Sequence, residues 1–204
     1  LKKFRQLNGA QAYPSRTKDF FDVDFSTGSV GLGGAMTIFS SFTQDYLKEN
    51  NLLDNEPSKM ISIFGDAELD EGNVYEALLE GAKHNLKNCW WIIDYNRQSL
   101  DGIVFEKLFE KIINLFELMD WNVEILKYGS KLKKLKHSKS GKKILKWIDD
   151  CPNDLFSALT YQGGKDWRKT LLEVFYNDQD TISLIQSFND KELNSLMTNL
   201  AGHD

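Results

Sequence analysis

Asp66 and Asn96 offer a carboxylate and an amide, and a glycine-rich stretch from Ser26 to Gly34 precedes them. Their oxygens are hard donors, and together with a bound phosphate they suit an octahedral Mg2+. A glycine-rich loop that opens a helix can cradle phosphate, although a flexible turn with no ligand reads the same. A helix beginning after Gly72 points its first N–H groups into the space beyond Asp66, which favours an anion. The residue chemistry therefore allows a Mg2+–diphosphate site. It also allows the ordinary use of Asp and Glu at a helix start, where they offset the helix dipole.

Those groups need elements to position them. The apolar run Met60-Ile61-Ser62-Ile63-Phe64, ending at Gly65, reads as a buried strand. Val74, Ala77, Leu78, Gly81 and Ala82 have the one-sided spacing of a helix packed on a sheet. Cys89-Trp90-Trp91-Ile92-Ile93 is the next strand, and Asn96 lies just past it. Strand, helix, strand forms a βαβ unit whose two strand ends open on one edge. Asp66 and Asn96 become neighbours there despite the thirty positions between them. In an open α/β sheet that edge is where ligands bind.

The glycine-rich stretch leads into an amphipathic helix with Ala35, Ile38, Phe39, Phe42 and Tyr46 on one face. Beyond Gly102, the spacing of Phe105, Leu108, Phe109, Ile112, Phe116 and Met119 predicts a core helix, and Trp121, Val123 and Ile125 alternate as a short strand. Residues 152–204 read as short helices: one through Trp167, Leu171, Leu172 and Phe175, one through Ile182 and Ile185, and one through Leu193, Leu196, Met197 and Leu200. Asn189 caps the last of these.

With 204 residues, 41% hydrophobic and 27% charged, the chain has the make-up of one soluble domain with a real core. Its net charge of −5 argues for neither nucleic acid nor a membrane surface as partner. No apolar stretch approaches the roughly 18 residues of a membrane span, and no signal-peptide pattern is present. Cys89 and Cys151 lack metal or redox spacing, which makes a reduced, cytoplasmic setting the default expectation. The first residue is Leu1, so a piece of a longer chain is expected. Between Lys127 and Lys146 stand nine lysines and no acidic residue; they carry +9, leaving −14 on the rest of a chain of net charge −5. Such a segment can bind nucleic acid or an acidic partner domain, or be a solvated, partly mobile surface. No aromatic stacking platform is interleaved with it. Arg5 and Arg16 sit in an irregular N-terminal segment, where they can touch substrate or phosphate or simply be solvated.

Gly65-Asp66, followed by Asn96, resembles the GDG…N thiamine diphosphate signature of the transketolase superfamily. The longer strings GDAELDEG and DYNRQSLDG are most similar to the homodimeric pyruvate dehydrogenases of bacteria, as are FRQ, YPSR and the tail Ala201-Gly202-His203-Asp204. The resemblance implies an α/β fold: a three-layer, mostly parallel sheet with helices on both faces, incomplete at its C-terminal end. It implies a single diphosphate-binding domain over 1–204, with 127–146 as a lysine-rich surface segment. It also implies that the Asp66 and Asn96 side chains and the Gln98 main-chain carbonyl bind Mg2+. Ser29, Val30 and Gly31 then match the turn that touches thiamine diphosphate, and Ala67, Glu68 and Leu100 line it.

The family's activity follows as an expectation. A 2-oxo acid such as pyruvate is decarboxylated, and the acyl unit passes to a lipoyl-bearing acyltransferase component, in a homodimer. The family's activating glutamate lies in a separate domain supplied across the dimer, and its general-acid histidines lie outside this segment. No catalytic residue is therefore expected here, and the segment alone is expected to be inactive. His203 is either near the active site or structural. Ala67 departs from the family's glycine, and if the loop needs positive φ there, the added Cβ costs roughly 1 kcal/mol or more. Transketolase-type ketol transfer between sugar phosphates shares the same anchor and remains an alternative, as does a non-catalytic truncated paralogue.

Overall fold

A computed structural model describes residues 3–9, 11–19, 23–56, 58–96 and 108–202. They gather into two compact units, Leu1–Gly102 with Phe109–Asn122 and Ile103–Leu108 with Val123–Asp204.

In the first unit, α1 (Leu32–Glu49) precedes β1 (Met60–Gly65), a 3-10 turn (Asp66–Asp70), α2 (Gly72–Lys83), β2 (Cys89–Asp94) and α3 (Leu108–Leu118). β1 and β2 pair in parallel, in a register running from Met60↔Cys89 to Gly65↔Asp94, with α2 as the crossover. The predicted βαβ unit is thus present. Among the described residues the sheet has these two strands.

Alternation along the strands sends Ser62, Phe64 and Trp91 toward α1, which lies across this face on its small residues. A Cβ added at Gly34 would stand 3.3 Å from Trp91 Cζ2 and 3.5 Å from Phe64 Cε1. Ile38 is fully buried and clusters with Ala35, Ala77 and Cys89, with Trp91 and Trp121 packed against them. Trp91 centres an aromatic group, 5.4 Å from Phe64, 5.8 Å from Phe116 and 5.1 Å from Trp121 between ring centroids. Its indole N–H donates to Thr37 Oγ1 at 3.0 Å, so the buried polar atom is paired. The opposite side chains, Ile61, Ile63, Trp90 and Ile92, are exposed.

One expected strand does not form. Residues 121–127 have no regular structure, because Trp121 turns into the aromatic group while Ile125 is exposed, so the alternation does not mark a pleat with a partner strand.

The second unit is helical, from α4 (Ser130–Leu135) and α5 (Lys139–Asp150) through α6 (Asn153–Gln162), α7 (Gly164–Val174), α8 (Gln179–Gln186) and α9 (Asp190–Met197). Its core gathers around the fully buried Trp167, with Leu132, Ile144, Ile148, Leu171, Ile185 and Met197. Asn189 caps α9 as predicted: its side chain accepts from Glu192 N at 2.9 Å while Glu192 accepts from Asn189 N at 2.8 Å. The lysine-rich segment is largely helical, with its lysines at the surface. α4 and α5 bury Leu132, Leu135, Ile144, Leu145 and Ile148 and carry their lysines outside.

Candidate functional site

β1 ends at Gly65, and the chain tightens at once into the Asp66–Asp70 turn. Asp66 is only 6% exposed, so its carboxylate sits in the protein rather than in solvent. Across the sheet edge, Gly65 is registered with Asp94, and Asn96 lies two residues further on, exposed. The sequence expectation that Asp66 and Asn96 share one edge agrees with this register. Gln98 and Leu100, the other two residues expected on this side, fall outside the described residues, as does His203.

The glycine turn meets the same place. Ser29 and Val30 are exposed, whereas Gly31 is buried and adopts φ 79°, a left-handed conformation suited to glycine. A Cβ at Gly31 would stand 2.6 Å from Asn73 Oδ1 and 2.8 Å from Glu71 Cβ. The turn is therefore pressed against the start of α2.

Glu68 joins the two loops. Its carboxylate accepts the Gly31 N–H at 2.9 Å on Oε2 and the Gly65 N–H at 3.3 Å on Oε1. Gly31 is the N-cap position of α1, which has no side-chain cap of its own and no acidic residue in its first turn. Glu68 thus brings negative charge to the positive end of a helix that starts 36 positions earlier in the chain. This role is absent from the sequence expectation, which placed Glu68 only as cofactor-lining. Glu68 at the third position of its own turn was a legible signal for the bond to Gly65. Nothing local signals the bond to Gly31.

The condition under which Ala67 would be strained is not met. Ala67 is not among the described non-glycine residues with positive φ and lies inside the 3-10 turn, so the Cβ costs no left-handed strain there.

The described part of the expected donor set, the Asp66 carboxylate and the Asn96 amide, has the chemistry that suits Mg2+ beside a diphosphate. Among the described residues no cluster of three or more His, Cys, Asp or Glu can hold a metal. The expected set differs in kind: one carboxylate, one amide and a main-chain carbonyl, with the remaining positions left to phosphate oxygens and water, as suits Mg2+. Glu68 is already engaged with two N–H groups.

Arg5 lies with its guanidinium 5.3 Å from the Phe4 ring centroid, and the Arg16 main-chain N–H donates to Ser26 Oγ at 3.0 Å. Burial pushes the Cys89 thiol above its usual range, against hydrogen bonds from Thr37, Ser41 and Trp91 that act to lower it. Cys89 and Cys151 are buried and free of any disulfide. Burial, with the charge of Asp70 added, raises the Tyr75 phenol. A groove of about 720 Å3 between α1 and α2 is lined by Phe25, Leu32, Met36, Phe39, Asn73 and Leu79, and none of the expected site residues among the described ones lines it.

A buried carboxylate at a strand end, an amide past the paired strand and a left-handed glycine turn coincide with the match of residues 1–145 to the family described as transketolase, thiamine diphosphate binding domain. The chain belongs to that family. Its relatives include the pyruvate dehydrogenase E1 component of Escherichia coli K12, 26% identical over 100% of this chain and 23% of the relative. That of Cupriavidus necator is 28% identical with the same coverage, and that of Mycobacterium tuberculosis 25% identical over 94% of this chain and 20% of the relative. The chain spans about a quarter of the length of the curated relatives it matches. Among the described residues no helix is long and apolar enough to cross a membrane.

Proposed function

We propose that this chain is the diphosphate-holding part of a cytoplasmic, homodimeric, thiamine diphosphate-dependent 2-oxo acid dehydrogenase acting on pyruvate or a similar acid. The whole protein decarboxylates the acid and delivers the acyl unit to a lipoyl-bearing acyltransferase component. The observation that carries this reading is the buried Asp66 carboxylate at the end of β1, with Asn96 past the paired strand. The names of the relatives supply the substrate and the reaction.

In this reading Asp66 and Asn96 hold Mg2+ through their side chains and Gln98 through its main-chain carbonyl. Ser29, Val30 and Gly31 touch the cofactor from the glycine turn, and Ala67, Glu68 and Leu100 line it. When bound, thiamine diphosphate acts as the electron sink for decarboxylation, and the protein supplies placement and electrostatics. Asp66 fixes the metal, and Glu68 fixes the distance between the two loops that receive the cofactor. None of these residues moves a proton, so the chain alone is inert. The helical second unit belongs to the same domain in this proposal, since the family match runs on to residue 145.

The test uses the full-length protein carrying this chain, assayed with pyruvate and a lipoyl acceptor and, in parallel, with sugar phosphates. Acyl transfer to the lipoyl acceptor supports the proposal. Ketol transfer alone, or no activity despite bound cofactor, contradicts it.

A further inference from the structure

α5 carries Lys139, Lys142, Lys143 and Lys146, spaced i, i+3, i+4 and i+7, so all four share one face. All four are exposed, while Ile144 and Ile148 on the other side are each 1% exposed and fix the helix's rotation. Among the described residues Lys143 pairs with Asp178, but Lys139, Lys142 and Lys146 make no ion pair. Asp149 is taken by Lys127 at 2.6 Å, and Asp150, one turn beyond Lys146, makes no ion pair with it.

This arrangement works against the helix that carries it. Like charges at i, i+4 destabilise a helix. Lysines also crowd the positive end of α5 and aspartates its negative end, the reverse of what the dipole favours. Helix stability therefore does not account for the stripe. We propose that the lysine stripe of α5 is a docking surface for an Asp/Glu-rich segment of a partner protein. This inference does not depend on the thiamine diphosphate reading.

Charge complementarity selects that partner. A nucleic acid would gain from aromatic platforms, but the one aromatic residue of α5, Trp147, packs on the core. An inserting amphipathic helix would need a free apolar flank, and the apolar side of α5 is already buried. The chain's net charge of −5 repels anions overall, so binding of an acidic peptide must come from a local patch.

The experiment is fluorescence anisotropy with a labelled acidic peptide of about 12 Glu and Asp residues, titrated with the full-length protein carrying this chain at about 50 and about 300 mM NaCl. A single-stranded DNA of equal charge and phosphatidylserine vesicles serve as comparisons. The expected result is salt-sensitive peptide binding that weakens about tenfold in Lys139→Gln/Lys142→Gln/Lys146→Gln and about twofold or less in Lys87→Gln/Lys165→Gln/Lys169→Gln. The stripe variant removes like-charge repulsion, so its melting temperature should hold or rise. No peptide binding, equal loss in both variants, or tighter binding to the DNA or the vesicles than to the peptide would overturn the proposal.

Discussion

The Gly31 N–H donates to Glu68 Oε2 at 2.9 Å, tying the start of α1 to the turn that follows β1. The same carboxylate holds the Gly65 N–H at 3.3 Å. One side chain therefore sets the spacing of the two loops that carry Ser29, Val30, Asp66 and Ala67. Glu68→Ala should lower stability by about 1.5–3 kcal/mol, the scale of hydrogen bonds to a charged group. Amide exchange at Gly31 and Gly65 should rise together, and Glu68→Gln should retain part of the protection. Unchanged exchange at both amides would show that the link is not formed in solution.

Gly31→Ala meets two obstacles, a left-handed φ of 79° and Asn73 Oδ1 at 2.6 Å from the new Cβ. A loss of at least about 1–3 kcal/mol in urea unfolding is expected, from strain and crowding combined. A variant as stable as the parent would mean that the turn relaxes freely.

Ala67→Gly should not improve the site, since Ala67 already sits in a right-handed turn. The added chain freedom should cost about 0.5–1 kcal/mol of stability. Cofactor affinity in the full-length protein, measured by calorimetry, should stay the same; a marked gain would show that this loop turns left-handed when loaded.

Much of this was legible in the sequence, and particular residues show where legibility ended. The strands around Ile63 and Ile92 declare themselves as apolar runs bounded by Gly65 and by polar residues, which puts Asp66 and Asn96 at one edge from sequence alone. Asn189 was legible as a cap from its type and its place before a helical run; the reciprocal bond from Glu192 was not part of that reading. Trp121 and Ile125 misled, because alternation says nothing about whether a partner strand exists. The Glu68–Gly31 bond was invisible, since a contact across 37 positions depends on the packing of α1 over the sheet, which periodicity does not encode. The lysine run showed its charge but not that Ile144 and Ile148 would order it into a stripe.

The helical unit should have its own acid sensitivity through Asp178. Its carboxylate sits below the ordinary value of 3.8, chiefly through the hydrogen bond from Lys143 and then that from Thr181, which it also caps in α8. A depressed carboxylate stabilises the fold above its unfolded pKa and ceases to do so as the pH falls through its folded one. Melting should therefore fall as the pH drops below about 4. Asp178→Asn keeps a capping side chain and should flatten that dependence. An identical pH profile in Asp178→Asn would remove Asp178 from the account.

The central claim is that Asp66 anchors a Mg2+-bound diphosphate, and titration calorimetry of thiamine diphosphate into the full-length protein tests it most directly. Binding should require Mg2+, vanish in Asp66→Ala and weaken in Asn96→Ala, with circular dichroism showing the fold retained in both. Binding of equal affinity in Asp66→Ala, or binding indifferent to the divalent cation, would contradict the claim.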